Sequence, residues 1–251
     1  MISINEITEK QGILFSLAPY SEGVKALKRK SDLTDFVFSN LRLYGSSLTI
    51  EGVRLILDGG TIPDAPVFEH RLCEAHRTVL SGFESKISMG IEVDSFVLNE
   101  FCMTLTGSDL PPYRDGSPLL YHLDFVPNDD EKISADLAKA FSVIKRDERD
   151  GRFNEGQCAD PFIKAAALHN AIVKVYPYTE GFTELSARTA MQYTLVKGGF
   201  FPVNLGISET EYNEIIAESI KSDEAEKFAD IIKIATFKKL HYLIDAVERG
   251  L

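Results

Sequence analysis

Proline, glycine and cysteine are all sparse in this chain: 10, 17 and 3 respectively in 251 residues. So few breakers exclude a linker-like, collagenous or disordered chain, and a hydrophobic content of 44% is that of an ordinary folded protein. Long apolar runs are missing too. The most apolar stretch, residues 161–178, is interrupted by Lys164, His169, Asn170 and Lys174, short of the roughly 18 residues of a membrane span. Positive charge is also in short supply, with 27 Lys and Arg against 38 Asp and Glu and a net charge of −11. That balance disfavours nucleic acid and anionic membrane surfaces as partners, because both require a positive field. Cys73, Cys102 and Cys158 are odd in number and scattered, which indicates no disulfide framework and a reducing, cytoplasmic setting. The polar start, with Glu6 and Glu9, predicts no secretory leader.

What is present is helical periodicity. Ile133, Leu137, Ala140, Phe141 and Ile144 recur at helical spacing, as do Ala165, Leu168, Ile172 and Val175. The same holds for Ala187, Ala190, Met191, Thr194 and Leu195, and for Phe228 through Val247 near the end. The spacing predicts an all-α protein that closes on amphipathic helices. Breaks fall at 58–63, 107–112, 147–156 and 198–202, none long enough to link separate domains. Residues 117–130, bracketed by Pro118 and Pro127, read as a short hairpin. Lys25, Lys28, Arg29 and Lys30 read as a solvated helix face, and so do His70, Cys73 and His76 beside Arg71 and Arg77, since three ligand types without a second cluster make a poor metal site.

The most informative stretch runs from Val175 to Arg188, Val-Tyr-Pro-Tyr-Thr-Glu-Gly-Phe-Thr-Glu-Leu-Ser-Ala-Arg. Pro177 ends one helix by Tyr176, and a second helix is predicted to start near Thr183 as its N-cap. Backbone N–H groups at such a start can hold an anion, with Gly181 permitting close approach; equally, the loop can be a plain turn with Tyr176 and Tyr178 packed as aromatics.

At this loop the chain resembles the Fic (Fido) family, whose signature between two central helices is HPFx[DE]GNGRxxR. Pro177, Tyr178, Glu180, Gly181 and Arg188 stand where the family has proline, phenylalanine, acid, glycine and the last arginine, with one residue inserted between Gly181 and Arg188. Ala166 to His169 is similar to the preceding helix, Pro112-Tyr113-Arg114 to the approach to the flap, 117–130 to the flap, and Gly198 to Pro202 to the usual stop. A second segment, Ser47-Leu-Thr-Ile-Glu51-Gly52, matches the family's inhibitory pattern [S/T]xxxE[GN]. The resemblance implies a Fic-type helical bundle with a short β-hairpin flap over residues 31–251, after an N-terminal extension of 1–30. It also implies that Glu51 pairs with Arg188, supported by the Ser47 hydroxyl, that Glu180 is the magnesium-binding acid, and that the protein acts on or binds a protein partner and can form a homo-oligomer.

Departures from the signature decide what can be expected chemically. Tyr176 replaces the catalytic histidine, and a phenol with a pKa of about 10 is ionised to roughly one part in a thousand at neutral pH. Phe182 and Thr183 replace asparagine and glycine of the phosphate loop, and Glu184 is the nearest residue to the first arginine. A unit charge about 4 Å from a phosphate is worth on the order of 4 kcal/mol at an effective dielectric of 20, so reversing its sign opposes triphosphate. His169, two turns before Tyr176, would be about 10 Å away, and His122 on the flap is the other histidine that could approach.

Two functional readings follow, with a third beside them. The chain is a Fic-like pseudoenzyme with a degenerate loop, without ordinary AMP transfer or a cofactor, acting as a binding or regulatory module. Alternatively it is an Mg-ATP-dependent protein adenylyltransferase, or a related transferase of phosphate-containing groups, with Arg188 and Gly181 holding nucleotide and Glu51 as autoinhibitor. Third, the old cleft holds a nonphosphate ligand between Tyr176, Tyr178 and Phe182.

Overall fold

Helical spacing becomes eleven α-helices in the computed structural model, which describes residues 2–155, 158–179 and 181–250; for Cys158 it describes the backbone alone. They are α1 (Ile4–Ser16), α2 (Glu22–Arg42), α3 (Ile50–Leu57), α4 (Val67–Ser81), α5 (Phe83–Ser88), α6 (Ser95–Thr106), α7 (Ile133–Arg149), α8 (Pro161–Val175), α9 (Phe182–Lys197), α10 (Glu209–Ser222) and α11 (Glu226–Glu248). The expected all-α class holds. A pair of two-residue antiparallel strands, β1 (Asn154–Glu155) and β2 (Cys158–Ala159), precedes α8.

The antiparallel α8 and α9 form the centre. Every residue of α9 from Thr183 to Leu195 is buried, so this helix has no solvent face to carry a polar stripe. Several of its polar side chains find partners inside the protein instead. Thr189 and Thr194 donate to carbonyls one turn back, and Gln192 exchanges two hydrogen bonds with the Val203 backbone at 2.7 and 3.0 Å. α7, α10 and α11 cover α8, whereas α2, α5 and α6 cover α9, and α4 seals α2 and α6.

Local sequence explains the edges of α8. Asp160 accepts from the Phe162 and Ile163 amides at 2.8 and 3.2 Å, and Pro161 opens the first turn, where its missing N–H costs nothing. Tyr176, before Pro177, leaves the helix in the left-handed region at φ 50°.

Around the expected boundary at residue 30, α2 runs uninterrupted through residues 30 and 31, and α1 packs on α11 with Ile4, Ile7 and Leu14 buried. The basic face of α2 is solvated as expected: Lys25 pairs with Glu22, Lys28 with Asp32 and Lys30 with Asp58. The flap is a minimal hairpin. One antiparallel bridge joins Leu120 and Phe125, and Leu120 and Leu123 are buried beneath it. No helix among the described residues is long and apolar enough to cross a membrane.

Candidate functional site at the turn between the central helices

Arg114 organises the turn. Its buried guanidinium donates to the carbonyls of Tyr176 at 2.6 Å, Val175 at 3.4 Å and Asn128 at 2.5 Å, and to that of Gly116. A cation on the last carbonyls of α8 also suits the negative end of the helix. The chain on either side of Arg114 runs antiparallel to the turn, with Arg114 N–H donating to Pro177 at 3.0 Å and Thr179 N–H to Pro112 at 3.1 Å. Tyr113 and Tyr178 stack at 5.7 Å and both reach Asn99, Tyr178 by a 2.6 Å hydrogen bond.

Thr183 does not cap α9. Its hydroxyl turns back, accepting from the Tyr178 amide at 2.8 Å and donating to the Tyr178 carbonyl at 3.0 Å, while Gly181 occupies the cap position at φ 74°. A Cβ on Gly181 would lie 2.5 Å from Cε2 of Tyr44. Gly181→Ala is therefore expected to cost roughly 1–2 kcal/mol from backbone handedness alone, lowering the melting temperature by about 2–8 °C in calorimetry. Phe182 lies against Tyr44 and Phe68, at 6.1 and 6.5 Å between ring centres. Tyr176, Tyr178 and Phe182 thus sit among three different sets of neighbours and do not line one apolar cleft. A cavity of about 560 Å³ lies between α7, α8 and the α10–α11 corner, lined by residues such as Ile144, Phe153, Asn170 and Ser219 and by none of positions 176–188.

The Tyr176 hydroxyl faces Glu184. Burial raises its pKa first and the Glu184 carboxylate raises it further, so the phenol stays protonated. Glu184 itself is 7% exposed. Its Oε1 lies 3.0 Å from Nε2 of His122, the flap histidine, whose pKa is raised by that hydrogen bond against the opposing effect of burial. His169 does not serve as a spare base. Its Nδ1 lies 3.0 Å from Asn170 Oδ1 and its Nε2 2.7 Å from the Tyr212 hydroxyl, and burial lowers its pKa to about 3. With Nδ1–H donating to the amide oxygen, Nε2 accepts from the tyrosine and the ring is neutral.

Arg188 is 1% exposed. Its Nε donates to Asn40 Oδ1 at 3.1 Å, one terminal nitrogen donates to the Asn40 carbonyl at 3.2 Å, and its guanidinium lies 5.2 Å from the centre of the Tyr212 ring. The pairing of Arg188 with Glu51 is absent: the Glu51 side chain is 75% exposed and lies 3.9 Å from Arg54 on the same helix. Ser47 is exposed as well, and Thr49 is the residue that caps α3, accepting from the Gly52 amide at 3.1 Å. Gly52 is buried where a Cβ would stand 2.8 Å from Ile62 Cδ1, so the glycine serves close packing. Glu180 lies outside the described residues.

The face carrying His70, Cys73 and His76 is not solvated. Cys73 and His76 are fully buried, His76 Nδ1 donates to the Leu72 carbonyl at 2.7 Å, and His70 Nε2 accepts from the Ile62 amide at 3.1 Å. No group of three or more metal-ligating side chains gathers among the described residues. Asn40, Asn99, Tyr44 and Tyr212 complete the site and carry no signal in the sequence, because each is brought in from another helix or loop.

No protein-family profile matches the sequence, and no curated protein matches it. Solved structures do. A Fic domain-containing signaling protein from Bacteroides thetaiotaomicron superposes with a TM-score of 0.72 at 18% identity, covering 97% of this chain and 94% of that one. Fic-1 from C. elegans gives 0.73 at 17% identity, over 98% and 72% of the two chains. A Fic family protein from Desulfovibrio desulfuricans gives 0.56 at 14%, over 100% and 75%. Identities this low speak for architecture alone: the chain has the Fic fold.

Proposed function

We propose that this Fic-fold chain is a binding or regulatory module for a protein partner and has lost ordinary AMP transfer from ATP. The observation that carries the reading is Glu184, a buried carboxylate at the start of α9, hydrogen-bonded to His122 and nearest to where the family pattern places an arginine. A carboxylate there, neutralised at most by His122, supplies no positive charge to hold a triphosphate. Tyr176, protonated and enclosed, is no substitute for a histidine base. The transferase reading loses its brake as well, since Glu51 faces solvent beside Arg54. A reducing, cytoplasmic setting belongs to the same reading, and Cys73 and Cys102, both buried free thiols, are compatible with it.

The test is a melting-temperature titration with Mg-ATP on the wild type and on Glu51→Ala, followed by mass spectrometry for AMP adducts on the protein itself and on candidate partners. Ligand at a hundred times its dissociation constant adds about 2.7 kcal/mol, or roughly 5–11 °C for a domain of this size. We expect no rise in either protein and no adduct. A rise that grows in Glu51→Ala, or any AMP transfer, would restore the transferase.

A further inference from the structure

We propose that the flap is a pH-responsive strap, fastened to the α8–α9 turn by protonated His122 on Glu184 and loosened when the imidazole loses its proton. The inference deepens the regulatory reading, because the strap decides when the turn is reachable.

The base of the flap is fixed independently of pH. Arg114 bonds the carbonyls of both Gly116 and Asn128, and Ser117 Oγ donates to Asp129 at 3.0 Å. Between these ends, among the described residues, two polar contacts tie the tip to the rest of the protein: His122 to Glu184 at 3.0 Å and Asp124 to Lys221 at 2.8 Å. The second joins an exposed aspartate and an exposed lysine, and histidine is the side-chain type whose ordinary charge change lies near neutrality.

The groups facing His122 favour its cation. Glu184 comes from α9 and Glu209 from the start of α10, both of which raise its pKa. Tyr176 at the end of α8 and Tyr212 on α10 are held neutral by burial. Arg188, one turn along α9 from Glu184, is turned towards Asn40 and Tyr212. The sign follows directly. His122 has its ordinary pKa of about 6.5 in the released flap and a raised one when fastened, so its contribution is complete below the ordinary value and is lost as pH rises through the raised one. Above that, a neutral imidazole N–H can still donate to the Glu184 carboxylate, but the attraction between opposite charges is gone.

Two measurements on the full chain test this. Imidazole NMR titration, with the His122 resonance assigned by its loss in His122→Gln, should place the wild-type midpoint above that of Glu184→Gln. Hydrogen exchange of residues 116–128, corrected for intrinsic chemistry, should show opening more frequent at pH 9 than at pH 6, by up to about fivefold, the range expected when a part-exposed ion pair loses one of its charges. In His122→Gln the corrected rates should be equal at the two values. A wild-type midpoint at or below 6.5, which needs no variant to fold, or pH-independent protection of the wild-type flap, would overturn the proposal. Neither readout involves nucleotide, so failure here leaves the loss of AMP transfer standing, and the reverse is equally true.

Discussion

Arg114→Ala is expected to lower the melting temperature by roughly 6–20 °C, following a loss of about 3–5 kcal/mol at 2–4 °C per kcal/mol. The guanidinium is buried at 4% exposure and satisfies four carbonyls from three segments: the end of α8, the start of the flap and its return. Hydrogen bonds to charged groups are worth about 1.5–3 kcal/mol each, and an unsatisfied buried carbonyl costs about 1–3. Water entering the space left by the side chain recovers part of that sum, which is why the expected loss is below it. Arg114→Lys should rescue only a fraction, since a single ammonium cannot reach carbonyls spread around a planar fork. Calorimetry of the two variants checks the magnitude, and exchange at 116–128 checks the location: protection should be lost from the flap and turn first.

A loss of comparable size is expected at the far end of α8. Lys233 of α11, 6% exposed at its side chain, places its ammonium 2.6 Å from Asp160 and 2.7 Å from Glu155. Asp160 is wholly buried and caps α8, so Lys233→Met leaves an uncompensated carboxylate inside the protein. Breaking one side of such a pair costs about 3–5 kcal/mol. Adding Asp160→Asn should return a good part of it, because the amide oxygen still caps the helix and no charge remains to be buried. If the double variant is no more stable than Lys233→Met, the loss comes from packing and the electrostatic account is wrong.

The pH dependence gives a second check on this cluster. Burial works to lower the Lys233 pKa, but the hydrogen bonds to Asp160 and Glu155 outweigh it and leave it raised above 10.5. Its contribution is therefore complete below that ordinary value and is lost only in strong alkali. Glu155 is held below 4.5 chiefly by the hydrogen bond to Lys233. Its contribution is present above the ordinary value and is lost as pH falls through the lowered one, so the gap between wild type and Lys233→Met should narrow in acid.

The sequence carried the helical class, the stop at Pro177 and the Gly181 turn because each rests on neighbours within a few positions. Repeating apolar residues choose a helix face, proline restricts the residue before it, and glycine tolerates the left-handed backbone. Thr183 departs from the expected N-cap for a related reason. A hydroxyl beside a helix start can bond forward to the first turn or back to the preceding loop, and the buried Tyr178 backbone, otherwise unsatisfied, drew it back.

Glu51 marks the limit of motif reading. Its pattern gave a short helix at the right place, but whether that glutamate meets Arg188 depends on how α3 lies against α9, and here it faces solvent. The partners that matter come from far along the chain: His122 and Glu184 are 62 residues apart, and Asn40 and Arg188 are 148 apart. By itself the sequence determined which segments coil and where they break, since those preferences act within a turn or two. Only the tertiary structure decided which buried charge faces which, because that follows from closing α9 on every side with helices that lie far apart in the chain.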